Sequence, residues 1–133
     1  MDERFLIFEV NGTIYGIRLD DVERILSIQN SEILHSERKR SILKIAKDEV
    51  PISKLCDRLK TYNRTDSHIN AIVLRRQKEK VAFLVSGKMD IEHLDKVQKR
   101  EVNFIDELAD YIEGIGLISE KPVIILERDA ISA

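Results

Sequence analysis

Phe5-Leu6-Ile7-Phe8-Glu9-Val10-Asn11-Gly12-Thr13-Ile14-Tyr15-Gly16-Ile17 reads as a β-hairpin. Two runs of β-branched, aromatic and other apolar residues flank Asn11-Gly12. Asn-Gly is the preferred two-residue hairpin connection, because both central positions must take positive φ. The composition extends that reading to the whole chain. Of 133 residues, 28 are Ile or Val, which pack well on pleated surfaces. With only 5 Gly and 2 Pro, the chain is neither collagen-like nor a linker.

Downstream of the hairpin, Asp20-Asp21-Val22-Glu23-Arg24 carries a helix-start signal. Asp20 stands as an N-cap with Glu23 three residues on, which predicts a short helix over residues 21–24 before a strand resumes at Leu26. Residues 29–41 are polar and read as a loop. Strands are expected over 42–45 and 49–52, turning through Lys47-Asp48. Ile52, Leu55, Cys56 and Leu59 then recur at i, i+3, i+4 and i+7, one face of a short helix over 53–59. Further strands are expected at 69–74, 80–85 and 91–94, and a short helix at 104–111 capped by Asn103. The end reads as a last hairpin, 112–118 and 123–126, with Pro122 tolerated at the start of its strand. No long helix and no βαβ alternation appears, so the fold class is mainly β with a few short helices.

Length and charge narrow the function. A chain of 133 residues favours one domain. Lys and Arg number 22 against 24 Asp and Glu, so no overall field draws the protein to nucleic acid or anionic lipid. The longest apolar run, residues 81–85, is far short of the roughly 20 residues a bilayer span needs. Met1-Asp2-Glu3-Arg4 lacks the features of a signal peptide. A single cysteine permits no internal disulfide and fits a reducing compartment. The expected location is the cytoplasm.

The residue types that carry chemistry are sparse. His35, His68 and His93 have no metal-ligand spacing to one another or to Cys56. Cys56 sits on the apolar stripe of its helix, where an inert buried thiol is expected. No phosphate-binding loop or catalytic motif occurs. Gly114-Ile115-Gly116 lacks the crossover helix of a dinucleotide site. Two basic clusters, Arg38-Lys39-Arg40 and Arg75-Arg76-Gln77-Lys78, could touch phosphates, but no aromatics are interleaved to stack on bases. The expectation is therefore a protein with no enzymatic activity, no metal and no cofactor.

Three blocks have a more specific order. The first is Phe5-Leu6-Ile7-Phe8 with Tyr15-Gly16-Ile17 and Val22-Glu23-Arg24-Ile25. The second is Ala71-Ile72-Val73-Leu74 with Val81-Ala82-Phe83-Leu84-Val85. The third is Tyr111-Ile112-Glu113-Gly114-Ile115-Gly116, a turn, and Val123-Ile124-Ile125-Leu126. In this order they resemble the CheW-like domain, the adaptor module of bacterial chemotaxis, which also serves as the regulatory domain of the histidine kinase CheA. The likeness runs from Phe5 to Leu126 and is thinnest over 28–41 and 96–107.

The resemblance implies two five-stranded SH3-like β-barrel subdomains sharing a core, within one domain over residues 1–133. It implies a scaffold that couples a CheA-like histidine kinase regulatory domain to the cytoplasmic tip of chemoreceptors. The alternative function is a small β-barrel that binds nucleic acid through its basic loops.

The departures from the family pattern fall at polar positions. Counting back from Pro51, an arginine-glycine pair of the family becomes Ala46-Lys47. The Val-x-Glu-Val pattern becomes Val22-Glu23-Arg24-Ile25, which places a cation where an acid is usual. An aspartate becomes Ser86. The contact face that the resemblance implies would include Val22, Arg24, Ala46 and Val85 or their neighbours, although Val22 and Val85 fit the core equally well, Val85 the more so of the two. Loss of the arginine fork at position 46 implies weakened engagement of a receptor tip.

Overall fold

The computed structural model describes residues 3–35, 41–76, 79–99 and 111–132. Apart from Tyr111, the helix expected over 104–111 lies outside them. The chain divides into two compact units, Met1–Asp21 with Lys88–Ala130 and Val22–Gly87 with Ile131–Ala133.

The first unit is built around the opening hairpin. β1 (Arg4–Val10) and β2 (Thr13–Arg18) pair antiparallel, with Val10 opposite Thr13. Asn11 and Gly12 close the hairpin with φ of 49° and 86°, the conformation that the dipeptide announces. The next six strands belong to the second unit. The chain then re-enters the first unit as β9 (Met89–His93) and β10 (Asp95–Lys99), separated only by Leu94. β11 (Ile112–Ile118) and β12 (Lys121–Leu126) form the last hairpin, turning through Ser119 and Glu120 at positive φ. The sheet order is β10-β11-β12-β2-β1-β9. Because β9 and β10 are consecutive yet occupy opposite ends of that order, residues 89–99 act as one bent strand that closes five strands into a ring.

Phe5, Ile7, Val123 and Ile125 fill the ring, with Ile14, Leu94, Val97 and Ile118 packed against them. Each fully buried side chain of this size stabilises by about 1.5–3 kcal/mol. Leu94, at the bend, explains the glycine opposite it. A Cβ on Gly116 would lie 2.7 Å from Leu94 Cδ1 and 3.0 Å from Leu94 Cβ.

The second unit repeats the plan. β3 (Val22–Ile28), β7 (Ile69–Arg76) and β8 (Glu79–Ser86) form one three-stranded sheet in the order β3-β7-β8. β4 (Ile33–His35), β5 (Ser41–Ile45) and β6 (Asp48–Pro51) form another. A parallel bridge between Ile52 and Ala82 joins them, reinforced by the Ser53 N–H donating to the Ala82 carbonyl at 2.8 Å. β3 and β4 are separated only by Gln29 and a 3₁₀ turn at Asn30–Glu32, so together they again count as one bent strand of five. The run 81–85 is buried throughout, as its unbroken apolar character requires.

Local readings fail at five places, one of them β10, which no expected strand covers. Residues 22–24 are strand, not helix, and the capping signal produces only a 3₁₀ turn at Leu19–Asp21. The β-branched Val22 and Ile25 instead pair with Leu74 and Ile72, far along the chain. Residues 33–35 are strand within the expected loop. The β5–β6 turn is Ala46-Lys47, one residue earlier than expected, since Ile45 pairs with Asp48. A four-residue helix, α2 (Arg128–Ile131), follows β12 unannounced. The helix at 53–59 forms as α1 (Lys54–Leu59), with Ser53 Oγ accepting from the Leu55 N–H at 3.2 Å.

Candidate protein-contact face

All four residues expected at a contact face fall in the second unit. Val22 is half-buried and Arg24 exposed, both on β3. Ala46 is exposed at the β5–β6 turn, where it alone of the two turn residues takes positive φ, 52°. Val85 is completely buried opposite Asn70 on β8, so it belongs to the core and presents nothing to a partner.

Two departures from the family pattern acquire distinct meanings. Lys47 completes an exposed turn beside Ala46. Ser86 works internally. Its Oγ accepts from the Asn63 N–H at 3.0 Å, while its own N–H donates to the Thr61 carbonyl at 2.9 Å. Thr61 is buried and donates its hydroxyl to the Leu84 carbonyl at 2.6 Å. The loop after α1 is thus tied to the end of β8. A carboxylate at position 86 could accept the same Asn63 hydrogen bond, so this change preserves the tie.

A feature absent from the sequence reading is a row of apolar side chains across the sheet that carries Ala46. On its inner face, Ile33, Leu43 and Val50 stand side by side in register and are buried. On its outer face the register aligns Leu34, Ile42 and Pro51. Ile42 and Pro51 are half-buried, and Leu34 is 43% exposed, high for so large an apolar residue. Alternation within β4 and β5 reveals this row only once residues 33–35 are known to be strand.

The chemistry-bearing side chains are occupied elsewhere. Cys56 is buried, its Sγ donates to the Ser53 carbonyl at 3.0 Å, and burial pushes its pKa up to about 12. That is the inert thiol expected. Among the described residues, no three His, Cys, Asp or Glu side chains gather as a metal site. Of the basic clusters, Arg38-Lys39-Arg40 lies outside the described residues, while Arg75 is paired with Glu23 at 3.0 Å. In the first unit Arg18 reaches Glu3 at 2.9 Å and Glu113 at 2.7 Å and lies over the Phe5 ring at 5.2 Å, a fully engaged structural arginine. No helix among the described residues is long and apolar enough to cross a membrane.

Each unit is a small five-stranded barrel, and the second carries the apolar outer row. The profile of the CheW-like domain matches residues 4–133, and the chain belongs to that family. Members of the family are non-enzymatic scaffolds of chemotaxis signalling, and so is this protein. Among solved structures it is similar to the scaffolding protein TtCheW from Thermoanaerobacter tengcongensis, with a TM-score of 0.75 and 19% identity. The match covers 96% of this chain and 86% of that one. No curated protein matches by sequence.

Proposed function

We propose that this protein works in the cytoplasm as an adaptor between a CheA-like histidine kinase regulatory domain and the tips of chemoreceptors, with its kinase contact stronger than its receptor contact. The observation that carries this reading is the outer row Leu34, Ile42 and Pro51, on the same sheet as the turn bearing Ala46. An apolar row supplies affinity to a partner surface without charge. The turn beside it offers no guanidinium. An arginine in that place could donate up to five hydrogen bonds in a planar fork, and the side chain of Ala46 donates none. A partner group that depended on the fork stays unpaired.

Size supports treating residues 1–133 as a single cooperative domain. Each unit alone is near the length at which one hydrophobic core becomes marginal, and the chain passes between them three times, after Asp21, Gly87 and Ala130.

Affinity purification of the tagged protein from lysate of its native cells tests the adaptor role. Recovery of a histidine kinase is the expected result. Recovery of ribosomal or other nucleic-acid complexes alone would contradict it and favour the nucleic-acid reading.

A further inference from the structure

Asn11-Gly12 is a turn by conformation and a reactive pair by composition. Of the five asparagines in the chain, Asn11 alone is followed by glycine; the others precede Ser31, Arg64, Ala71 and Phe104. Glycine has no side chain to shield its N–H, and its backbone freedom lets that nitrogen turn back on the preceding side chain. Both residues are exposed, and no atom lies within 4 Å of where a Gly12 Cβ would stand, so the pair is open to water. Two other asparagine amides are engaged. Asn63 Oδ1 accepts from the Thr65 N–H at 3.1 Å and its hydroxyl at 2.9 Å, and Asn70 Nδ2 donates to the Gly87 carbonyl at 3.1 Å.

The reaction open to an Asn-Gly pair needs only water. The Gly12 nitrogen attacks Asn11 Cγ. An N–Cγ bond forms, the Cγ–Nδ2 bond breaks, and ammonia leaves with the proton that the Gly12 N–H gives up. Water then opens the five-membered ring. Addition at Cγ breaks the new N–Cγ bond and leaves aspartate at position 11. Addition at the main-chain carbonyl breaks its bond to the Gly12 nitrogen and leaves isoaspartate, with the main chain rerouted through Cγ.

The native turn opposes the first step. Positive φ at both residues, 49° and 86°, fits a type I′ turn, in which ψ of the first central residue is about +30°. For an L residue that ψ sets the next nitrogen nearly anti to Cβ, so the Gly12 nitrogen reaches Asn11 Cγ only by leaving the turn. The flanking strands resist that change. β1 is held by β2 and β9, and β2 by β1 and β12, with Ile14 opposite Val123 just beyond the turn.

We propose that Asn11 is a deamidation site that the folded hairpin keeps closed, so that its conversion marks chains whose first barrel has opened. The two products differ in consequence. Asp-Gly suits the same turn as Asn-Gly, so the aspartate form refolds with one more negative charge. Isoaspartate adds a main-chain atom between Val10 and Thr13, which a two-residue turn in that register does not accommodate. The isoaspartate form therefore does not rebuild the hairpin, and opening becomes partly irreversible. The inference is independent of the adaptor reading.

The test incubates the whole chain at mildly alkaline pH, folded in buffer and unfolded in guanidinium chloride. Peptide mapping by mass spectrometry with an isoaspartate assay follows conversion at position 11. Conversion should be at least about tenfold slower in the folded chain, as expected where a reaction waits on a minor open population. Val123→Ala, which loosens the barrel core beside Ile14, should speed native conversion by about tenfold. Ile125→Val, a smaller truncation in the same core, should speed it by about threefold and covers the case in which circular dichroism shows Val123→Ala unfolded. Asn11→Gly, which keeps a residue suited to positive φ, should show no conversion at this position in either state. On removal of denaturant the aspartate form should recover the native spectrum and the isoaspartate form should not. Equal rates in folded and unfolded chains, or a native rate that neither core variant changes, overturns closure by the hairpin. Absence of conversion at Asn11 in the unfolded chain overturns the site itself, and full refolding of the isoaspartate form overturns the irreversibility.

Discussion

Replacing Gly116 by Ala probes the closure of the first barrel at its tightest point. The added methyl would sit 2.7 Å from Leu94 Cδ1, 3.0 Å from Leu94 Cβ and 3.3 Å from Leu94 Cγ. The Cδ1 contact alone could be relieved by a rotamer change. The Cβ contact cannot, because Leu94 Cβ is fixed to the backbone at the bend between β9 and β10. That bend must move by a few tenths of an ångström, against a strand held on one side by β1 and on the other by β11. Overpacking of this kind costs about 1–3 kcal/mol, and the backbone contact places this case near the middle of that range. For a domain of this size the loss lowers Tm by roughly 6–10 °C. Urea unfolding followed by circular dichroism measures it. Leu94→Ala destabilises by itself and removes the Cδ1 and Cγ contacts but keeps the Cβ contact, so in the double variant only part of the Gly116→Ala loss, at most about 1 kcal/mol, should be recovered. A Gly116→Ala variant within about 0.5 kcal/mol of wild type, or full recovery of its loss by Leu94→Ala, would refute the closure argument.

Ala46 holds a φ of 52° that glycine adopts without penalty. Ala46→Gly should therefore raise stability by about 0.5–1 kcal/mol in urea unfolding, and a loss would show that the turn is not strained there. Cys56, with its thiol pushed up to about 12, should alkylate slowly in the native protein at roughly pH 8, and Cys56→Ala should cost about 1 kcal/mol without altering binding. Fast native labelling contradicts its burial. Burial raises the Glu113 carboxyl above its ordinary value of 4.5, more than Arg18 lowers it. Its folded pKa thus exceeds its unfolded one, so its contribution to stability is full below the ordinary value and fades as pH rises through the folded value. Glu113→Gln should flatten the pH dependence of Tm just above pH 4.5, and an unchanged profile contradicts the raised pKa.

How much of the fold the sequence announces depends on how local each signal is. The β1–β2 hairpin needs only Asn11-Gly12, and α1 only the spacing of four apolar residues. β7 and β8 declare themselves by unbroken apolar runs. Residues 21–24 mislead because Asp20 and Glu23 give a local helix signal, whereas pairing of Val22 and Ile25 with β7 is decided at long range. β10 is silent because Asp95-Lys96-Val97-Gln98-Lys99 carries one apolar residue and is a strand through its backbone pairing with β11. Of the proposed contact face, Arg24 and Ala46 are suggested by the family pattern, and both are exposed. The row Leu34, Ile42 and Pro51 is not, because it exists only once three strands are in register. Val85, for which the sequence leaves both contact and core open and favours the core, is buried by the sheet.

Calorimetric titration of the wild type and of Ala46→Arg, each against a CheA-type kinase regulatory domain and a chemoreceptor tip, tests the adaptor claim most directly. Both variants carry a Cβ on the same left-handed backbone, so the substitution adds the guanidinium fork without new turn strain. The expected result is binding of the kinase domain by both variants and weak receptor binding by the wild type. Restoring the fork should improve the receptor contact by about tenfold to a hundredfold, the equivalent of re-pairing one group worth roughly 1–3 kcal/mol. Tight receptor binding by the wild type that the arginine does not improve, or no binding of the kinase domain by either variant, would contradict the account.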